Sequence, residues 1–192
     1  LQSGTTLSAT ARAKSYICVV RGAQIRVRAD RTPVILSPMK DFTSPLRALL
    51  AAGEWKAADL ETRRLLIDEA DTGGYAGIDA DEAGTFGCDL LRSIDAAWLE
   101  ASDGRFGFTA QAAALAEARS LDLPRTDTWR AFGAAVGWVE GREWLEENGI
   151  LYDLAAPSGH LPWLPGSTTV VNTGRVYEGF FQFYARFAPC KD

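Results

Sequence analysis

The chain has 192 residues, of which 47% are hydrophobic and 23% are charged, and its net charge at pH 7 is −5. This length supports one well-packed core with extensions, and no apolar run in the sequence is long enough to cross a bilayer. The charge is unevenly placed: residues 1–40 contain seven basic side chains and one acidic one, whereas residues 41–192 contain 13 basic and 24 acidic ones, a net charge of −11.

The basic segment, residues 1–40, does not resemble a nucleic-acid-binding tail, because it has one aromatic residue, Tyr16, and no long basic run. We expect it to pair with the acidic remainder or to be solvated, so no nucleic-acid partner is predicted. No signal peptide is visible, and the chain begins at Leu1 rather than Met, so an exported form stays open.

The three cysteines, Cys18, Cys88 and Cys190, are far apart in the sequence and odd in number. That pattern excludes a cysteine metal site and a dense disulfide framework. A bridge between Cys18 and Cys190 stays open, but the expectation is three free thiols in a reducing compartment.

The first elements predicted are short strands over residues 16–20, 23–28 and 33–36, separated by turn residues. They form a small hairpin or a three-stranded flap. A helix then begins with Ser44 as its N-cap and ends at Gly53.

A second helix is predicted from about residue 54 to residue 70. Residues at helical spacing form its core-facing stripe, and four polar residues fall outside that stripe. The stripe is Trp55, Ala58, Thr62, Leu65 and Leu66, and the outer residues are Lys56, Asp59, Arg63 and Arg64.

Residues 71–88 are predicted to form a long loop with five glycines, and loops of this length in a compact domain are often functional. Asp79, Asp81 and Glu82 could hold a hard cation, but their spacing does not match a calcium loop. A solvated acidic rim is therefore the expectation.

Three further helices follow this loop. Asp89 is predicted to cap the first, Thr109 the second and Thr126–Thr128 the third. Phe106 and Phe108 are too close to share a helical face, so we expect them to brace two neighbouring helices from the corner between them. The inward-facing residues of the first helix are Leu90, Leu91, Ile94, Ala97 and Trp98. Those of the third are Trp129, Phe132 and Val136.

The last part of the chain is richer in loops. Residues 140–148 are predicted to form a short helix or turn, and residues 150–152 are extended. Two prolines then present His160, Leu161 and Trp163 on a stiff loop. A strand is predicted over 168–171, and the aromatic segment 176–184 is either a helix or a strand.

No catalytic signature is visible, since His160 is the only histidine and no nucleophile or phosphate-loop motif accompanies it. We expect His160 to bond the backbone of its turn rather than to ligate a metal or act as a base. Trp138, Trp144 and Trp163 fall near turns, which favours a flat apolar ligand or a partner surface, with a plain core role as the alternative for each.

Four blocks of sequence, in order over about residues 44–165, carry a resemblance to a known family. They are Leu46-x-x-Leu49-x-x-x-Gly53-x-Trp55-x-x-Ala58-Asp59-x-Glu61-Thr62-Arg63-Arg64-Leu65-Leu66, then Leu90-x-x-x-Ile94-Asp95-x-x-Trp98-x-x-x-Ser102-x-Gly104-Arg105-Phe106-Gly107-Phe108-x-x-Gln111, then Val136-Gly137-Trp138, and finally Asp153-Leu-x-Ala-Pro157-x-Gly159-His160-Leu161-Pro162. These blocks resemble the genomes-uncoupled-four family, whose members are porphyrin-binding, non-enzymatic regulators of magnesium chelatase in chlorophyll synthesis.

The resemblance implies a mainly α fold, with a cupped-hand helical core over residues 44–165. A loose N-terminus with a short β extension, residues 1–43, precedes this core, and an aromatic C-terminal extension, residues 166–192, packs on it. The implied ligand is a noncovalent tetrapyrrole (protoporphyrin, magnesium protoporphyrin or a bilin) held between two loops, here residues 71–88 and about 139–156. No other cofactor is required.

The implied ligand contacts combine cations for the propionates with apolar side chains for the macrocycle. The implied partner is a chelatase subunit or a signalling protein, with peripheral membrane association open, and the implied location is the cytoplasm or the plastid stroma. The alternative is a ligand-free interaction or sensor domain of a larger signalling protein. The candidate contacts are Arg63, Ile78, Phe86, Arg142, Trp144, Ile150, Leu151, His160 and Trp163.

Overall fold

The computed structural model describes residues 42–70, 83–164 and 182–190, together with the backbone of three strands over 16–20, 23–27 and 33–35. The chain divides into two compact units, residues 1–41 and residues 42–192. Among the described residues, no helix has both the length and the hydrophobicity that crossing a membrane requires.

The first unit contains an antiparallel sheet of three strands, β1 (Tyr16–Val20), β2 (Ala23–Val27) and β3 (Pro33–Ile35), in the order β1-β2-β3. The three-stranded alternative predicted from the sequence is therefore confirmed. Cys18 lies opposite Ile25, and Ile25 lies opposite Ile35 on its other side.

The described part of the second unit is mainly helical, as predicted. A two-stranded hairpin and a 3-10 turn follow the helices, and a short helix over 182–187 with a second 3-10 turn forms the C-terminal segment. The helices are α1 (Ser44–Ala51), α2 (Trp55–Ala70), α3 (Cys88–Ala101), α4 (Phe108–Ser120) and α5 (Arg125–Ala135); the hairpin is β4 (Val139–Glu140) and β5 (Glu143–Trp144), and the 3-10 turns are Glu147–Gly149 and Ala188–Cys190. The predicted strand over 168–171 lies outside the described residues.

The helix caps differ from the predicted ones. The residues at the N-cap positions of α1, α3, α4 and α5 are Thr43, Gly87, Gly107 and Pro124, and none makes a side-chain cap hydrogen bond. Each predicted cap residue instead lies inside its helix. The sequence located a polar side chain near each start but did not fix which residue begins the helix, and for α4 it also could not reveal a cap supplied by a side chain of another helix.

Such a distant cap starts α4. The buried carboxylate of Asp95, on α3, accepts hydrogen bonds from the backbone N–H of Thr109 at 2.9 Å and from its hydroxyl at 2.7 Å. Gly107 is required beside it, because its φ is +109° and a Cβ there would lie 2.7 Å from Oδ1 of Asp95. The start of α4 is thus fixed by α3.

Aromatic rings fill the core between the helices. Trp98 of α3 lies 6.2 Å from Trp55 of α2, and Phe106 contacts both rings edge-on. Phe106 and Phe108 are fully buried, which confirms their predicted place at the corner between α3 and α4. The predicted inward faces of α3 and α5 are confirmed as well, since all eight of their residues are buried.

The cysteine expectation was wrong, because Cys88 and Cys190 form a disulfide whose Cα atoms are 5.1 Å apart. The bridge joins the first residue of α3 to the C-terminal 3-10 turn across a sequence separation of 102. Both the three free thiols and the Cys18–Cys190 alternative are therefore corrected. The pairing depends on the return of residues 182–190 to α3, which sequence spacing does not reveal.

Replacing both Cys88 and Cys190 by alanine should lower the free energy of unfolding by about 2–4 kcal/mol, because the bridge closes a long loop in the unfolded chain. Thermal and urea denaturation under non-reducing conditions measure this loss. Cys18→Ala is the control, because it removes the remaining cysteine and leaves the bridge intact. Equal stability of the double variant and the parent chain would contradict the assignment.

Candidate functional site

The site forms around a turn that we call the proline turn, residues 157–163. The side chain of Gln111 donates hydrogen bonds to the carbonyls of Gly159 at 3.0 Å and Pro162 at 2.8 Å. The indole N–H of Trp138 donates to the carbonyl of His160 at 2.7 Å. These donors are buried, so they hold the turn against α4 and the end of α5.

His160 holds the same turn from within. Its Nδ1 lies 2.7 Å from the carbonyl of Val136, and its Nε2 accepts the backbone N–H of Leu151 at 3.1 Å. One nitrogen donates and the other accepts, which is the neutral form of the ring. Burial lowers the pKa of His160 accordingly, against a smaller effect of the Val136 hydrogen bond. The prediction that this histidine bonds backbone is confirmed, but its partners belong to neighbouring segments and not to its own turn.

Asp59 of α2 closes the other side of the turn. Its side chain is buried, and Oδ1 accepts the backbone N–H of Trp163 at 2.5 Å, whereas Oδ2 lies 3.6 Å from Nη2 of Arg63 without forming a hydrogen bond. Burial raises the pKa of Asp59 to about 7, because the Trp163 N–H and the Arg63 charge offset only part of the cost of removing the carboxylate from water. The prediction that Asp59 lies outside the core-facing stripe was wrong.

Arg63 lies over the indole of Trp163, with its Cζ 5.7 Å from the ring centroid. This is the distance of a cation–π contact, which holds the guanidinium in place without using its N–H groups. Nε and Nη2 of Arg63 and Nε1 of Trp163 are buried and have no hydrogen-bond partner in the described part of the chain. Buried donors of this kind favour a bound polar group.

A small cavity lies where these groups meet. Its volume is about 10 Å³, and it is lined by Asp59, Thr62, Arg63, Leu66, Pro162, Trp163 and Leu164. This is about the space that one water molecule needs. Ligand pockets for larger molecules are typically about 300–1,000 Å³, so a macrocycle does not fit this cavity as it stands.

Lys56 and Tyr152 extend the polar cluster beyond the cavity. Lys56 pairs with Glu147 at 3.2 Å, and its Nζ lies 5.5 Å from the centroid of the Tyr152 ring. Burial, followed by the charges of Asp59 and Glu147, raises the pKa of Tyr152, and its hydroxyl has no partner among the described residues. The sequence did not mark Asp59, Lys56 and Tyr152 as site residues, although the spacing of four between Asp59 and Arg63 is a visible signal of a pair on one helix face.

The structure brings together two of the predicted ligand contacts, Arg63 and Trp163. Ile150 is buried. The next residue, Leu151, is 49% exposed, and its backbone N–H donates to His160. Trp144 is half-buried on β5, and its ring packs closely against Gly133 of α5. A Cβ at Gly133 would lie only 2.7 Å from that ring.

The other predicted contacts lie elsewhere. Arg142 is exposed in the turn of the β4–β5 hairpin, so of the helix or turn predicted over 140–148 the helix is wrong, and turns at 141–142 and Glu147–Gly149 are present together with the short strands. Phe86 is fully buried, with its ring 6.0 Å from Phe183 of the C-terminal segment. Ile78 and the acidic residues Asp79, Asp81 and Glu82 lie outside the described residues.

The raised pKa of Asp59 predicts a specific pH dependence of stability. The folded chain holds this proton up to about pH 7, whereas the unfolded chain loses it near pH 3.8, so the free energy of unfolding falls between these values as the pH rises. Between pH 5 and pH 8 we expect Asp59 to account for a decrease of roughly 2–3 kcal/mol, which Asp59→Asn removes.

Urea denaturation of both proteins at the two pH values measures this difference. Asp68→Asn is the matched control, since Asp68 is an exposed carboxylate on the same helix. Identical pH dependence in the parent chain and the Asp59→Asn variant would show that Asp59 titrates normally.

Comparison with known proteins identifies relatives of this chain. Residues 37–176 match the GUN4-like family. The Ycf53-like protein of Synechocystis sp. is 32% identical over 123 residues, which are 62% of this chain and 50% of that protein. The chain thus spans about half the length of this curated relative.

Solved structures show the same fold. The ligand-free structure of Arabidopsis thaliana GUN4 superposes with a TM-score of 0.59 and 22% identity, covering 77% of this chain and 98% of that one. GUN4 from Chlamydomonas reinhardtii gives a TM-score of 0.58 and 23% identity, covering 74% and 87%. These matches confirm the resemblance and the mainly α fold class that were inferred from the residues.

Proposed function

We propose that this chain, which belongs to the GUN4-like family, is a non-catalytic regulatory domain that binds a tetrapyrrole and acts on magnesium chelatase. The observation that carries the proposal is the Arg63–Trp163 pair. In this pair, an arginine with two nitrogens that have no hydrogen-bond partner among the described residues lies over an indole whose N–H likewise has none there, at a small cavity.

A tetrapyrrole of the protoporphyrin type offers the hydrogen-bond acceptor that the Arg63–Trp163 pair lacks among the described residues. Its propionate is a carboxylate, which accepts charge-assisted hydrogen bonds from a guanidinium. A buried carboxylate without such a partner would be costly, so the cation determines where the propionate binds. Lys56 supplies a second cation nearby, since it contacts Tyr152 of the same cluster.

The macrocycle needs an apolar surface next to these cations. Leu151 and Leu154 are 49% and 45% exposed, and they flank Tyr152 in the sequence. We propose that the ring lies on this segment, outside the cavity, and that only a propionate approaches Arg63. The small volume of the cavity favours this arrangement over insertion of the whole ring.

Arg63→Ala should weaken protoporphyrin binding by about tenfold, the loss expected for one charge-assisted contact of a carboxylate. Tryptophan quenching and the shift of the porphyrin absorption band measure the affinity. Arg64→Ala is the matched control, because Arg64 is the next residue of α2 and pairs with Glu61 and Asp68 on the exposed surface. Equal losses in both variants would contradict a specific role of Arg63.

The alternative is a protein-interaction domain that carries no pigment, which the small volume of the cavity also favours. Titrations with protoporphyrin, magnesium protoporphyrin and a bilin distinguish the two functions. No saturable binding of any of them would exclude the pigment-binding proposal. Stimulation of magnesium chelatase by the pigment-free domain would then support the alternative.

A further inference from the structure

We propose that Cys88–Cys190 is a reducible disulfide that exchanges with dithiols, and that its redox state controls how firmly the C-terminal segment, residues 182–190, holds the proline turn. The exchange of the bridge is inferred from its contacts with Arg186 and does not depend on the proposed function. Its effect on ligand binding rests on the function proposed above.

The charge around the two sulfurs supports exchange. Nη1 of Arg186 lies 3.3 Å from Sγ of Cys88 and 3.4 Å from Sγ of Cys190. A guanidinium in contact with sulfur stabilises a thiolate, and a stabilised thiolate is the better leaving group in thiol–disulfide exchange. The nearby Arg92 instead bonds the carbonyl of Cys190 at 3.5 Å and the carboxylate of Asp89 at 2.7 Å.

The exposure of the two cysteines sets the direction of attack. Cys190 is fully buried, whereas Cys88 is half-buried at the start of α3. A thiolate of the dithiol attacks Sγ of Cys88, the S–S bond breaks, and Cys190 leaves as a thiolate beside Arg186. The second thiol of the reagent then attacks the mixed disulfide, so Cys88 is released, the dithiol becomes a disulfide, and two electrons pass to the protein.

Side chains connect the bridge to the proline turn. The Tyr184 hydroxyl donates to Oε1 of Gln111 at 2.9 Å, and the amide of Gln111 donates to Gly159 and Pro162. The ring of Phe183 packs 4.9 Å from that of Phe108. In the oxidised chain this segment is tied covalently at Cys190, whereas in the reduced chain only non-covalent contacts hold it, which include these two, the packing of Phe187 on Phe108 and the bond from Arg92 to the carbonyl of Cys190.

The first test is the rate at which dithiothreitol reduces the native, full chain, followed by mass spectrometry of alkylated thiols. Arg186→Gln should slow reduction about threefold to tenfold, because the leaving thiolate loses its cation. Arg92→Gln is the control, because Arg92 bonds the carbonyl of Cys190 and the carboxylate of Asp89 and not the sulfurs, so it should slow reduction less than Arg186→Gln does. Equal rates in both variants, or reduction only as fast as global unfolding, would overturn the exchange-active bridge.

The second test compares amide hydrogen exchange in the oxidised and reduced parent chain. We expect exchange to become about tenfold faster over residues 182–190 and at Trp163 after reduction, and α1 to stay unchanged. Unchanged exchange at Trp163 would overturn the link between the bridge and the turn. Protein that unfolds on reduction would show loss of protection in α1 as well, which also overturns it.

Protoporphyrin affinity is measured separately on the two redox forms. Weaker binding by the reduced form supports control of the proposed ligand site, and equal binding overturns that control. If neither form binds the pigment, the proposed function fails, and control of a pigment site fails with it. The bridge chemistry is still decided by the reduction rates and by hydrogen exchange.

Discussion

The proline turn is the part of the second unit on which the site depends, because side chains from two helices and a backbone carbonyl at the end of a third hold it at once. Asp59 of α2, Gln111 of α4 and the backbone of Val136, at the end of α5, each bond a different part of residues 157–163. Loops usually lie on the surface because their backbone groups need partners. Here buried side chains supply those partners, so a segment without regular structure becomes a fixed wall of the site.

Holding the proline turn with Asp59 has a cost in free energy, which is visible in the contact between Asp59 and Arg63. A carboxylate and a guanidinium are removed from water, yet they meet at 3.6 Å without a hydrogen bond. Burying charge is unfavourable unless hydrogen bonds compensate it, and the raised pKa of Asp59 expresses that shortfall. Incomplete compensation is typical of places where a ligand completes the set of contacts.

Helical periodicity predicted most of the fold, because the apolar stripes of α2, α3 and α5 are set by residue type and spacing alone. It failed at Asp59, whose burial depends on the backbone N–H of a residue 104 positions later. The disulfide was missed for the same reason, since it joins segments 102 residues apart, and the Asp95 cap was missed because it depends on how the corner between α3 and α4 folds. Within the site, Arg63 was predicted from the family resemblance and Trp163 from its place on a proline-stiffened loop, whereas the long-range partners that position them are visible only in the folded structure.

The contact between Asp95 and Gly107 also limits how this chain can diverge from its relatives. The carboxylate occupies the space that a side chain at position 107 would need, and the φ of +109° would strain such a side chain even without the acid. A lineage that loses the acid from α3 must supply a new cap for α4, but its corner still needs glycine. The dependence therefore runs one way, since the acid fits only beside a glycine, whereas the glycine is required with or without the acid.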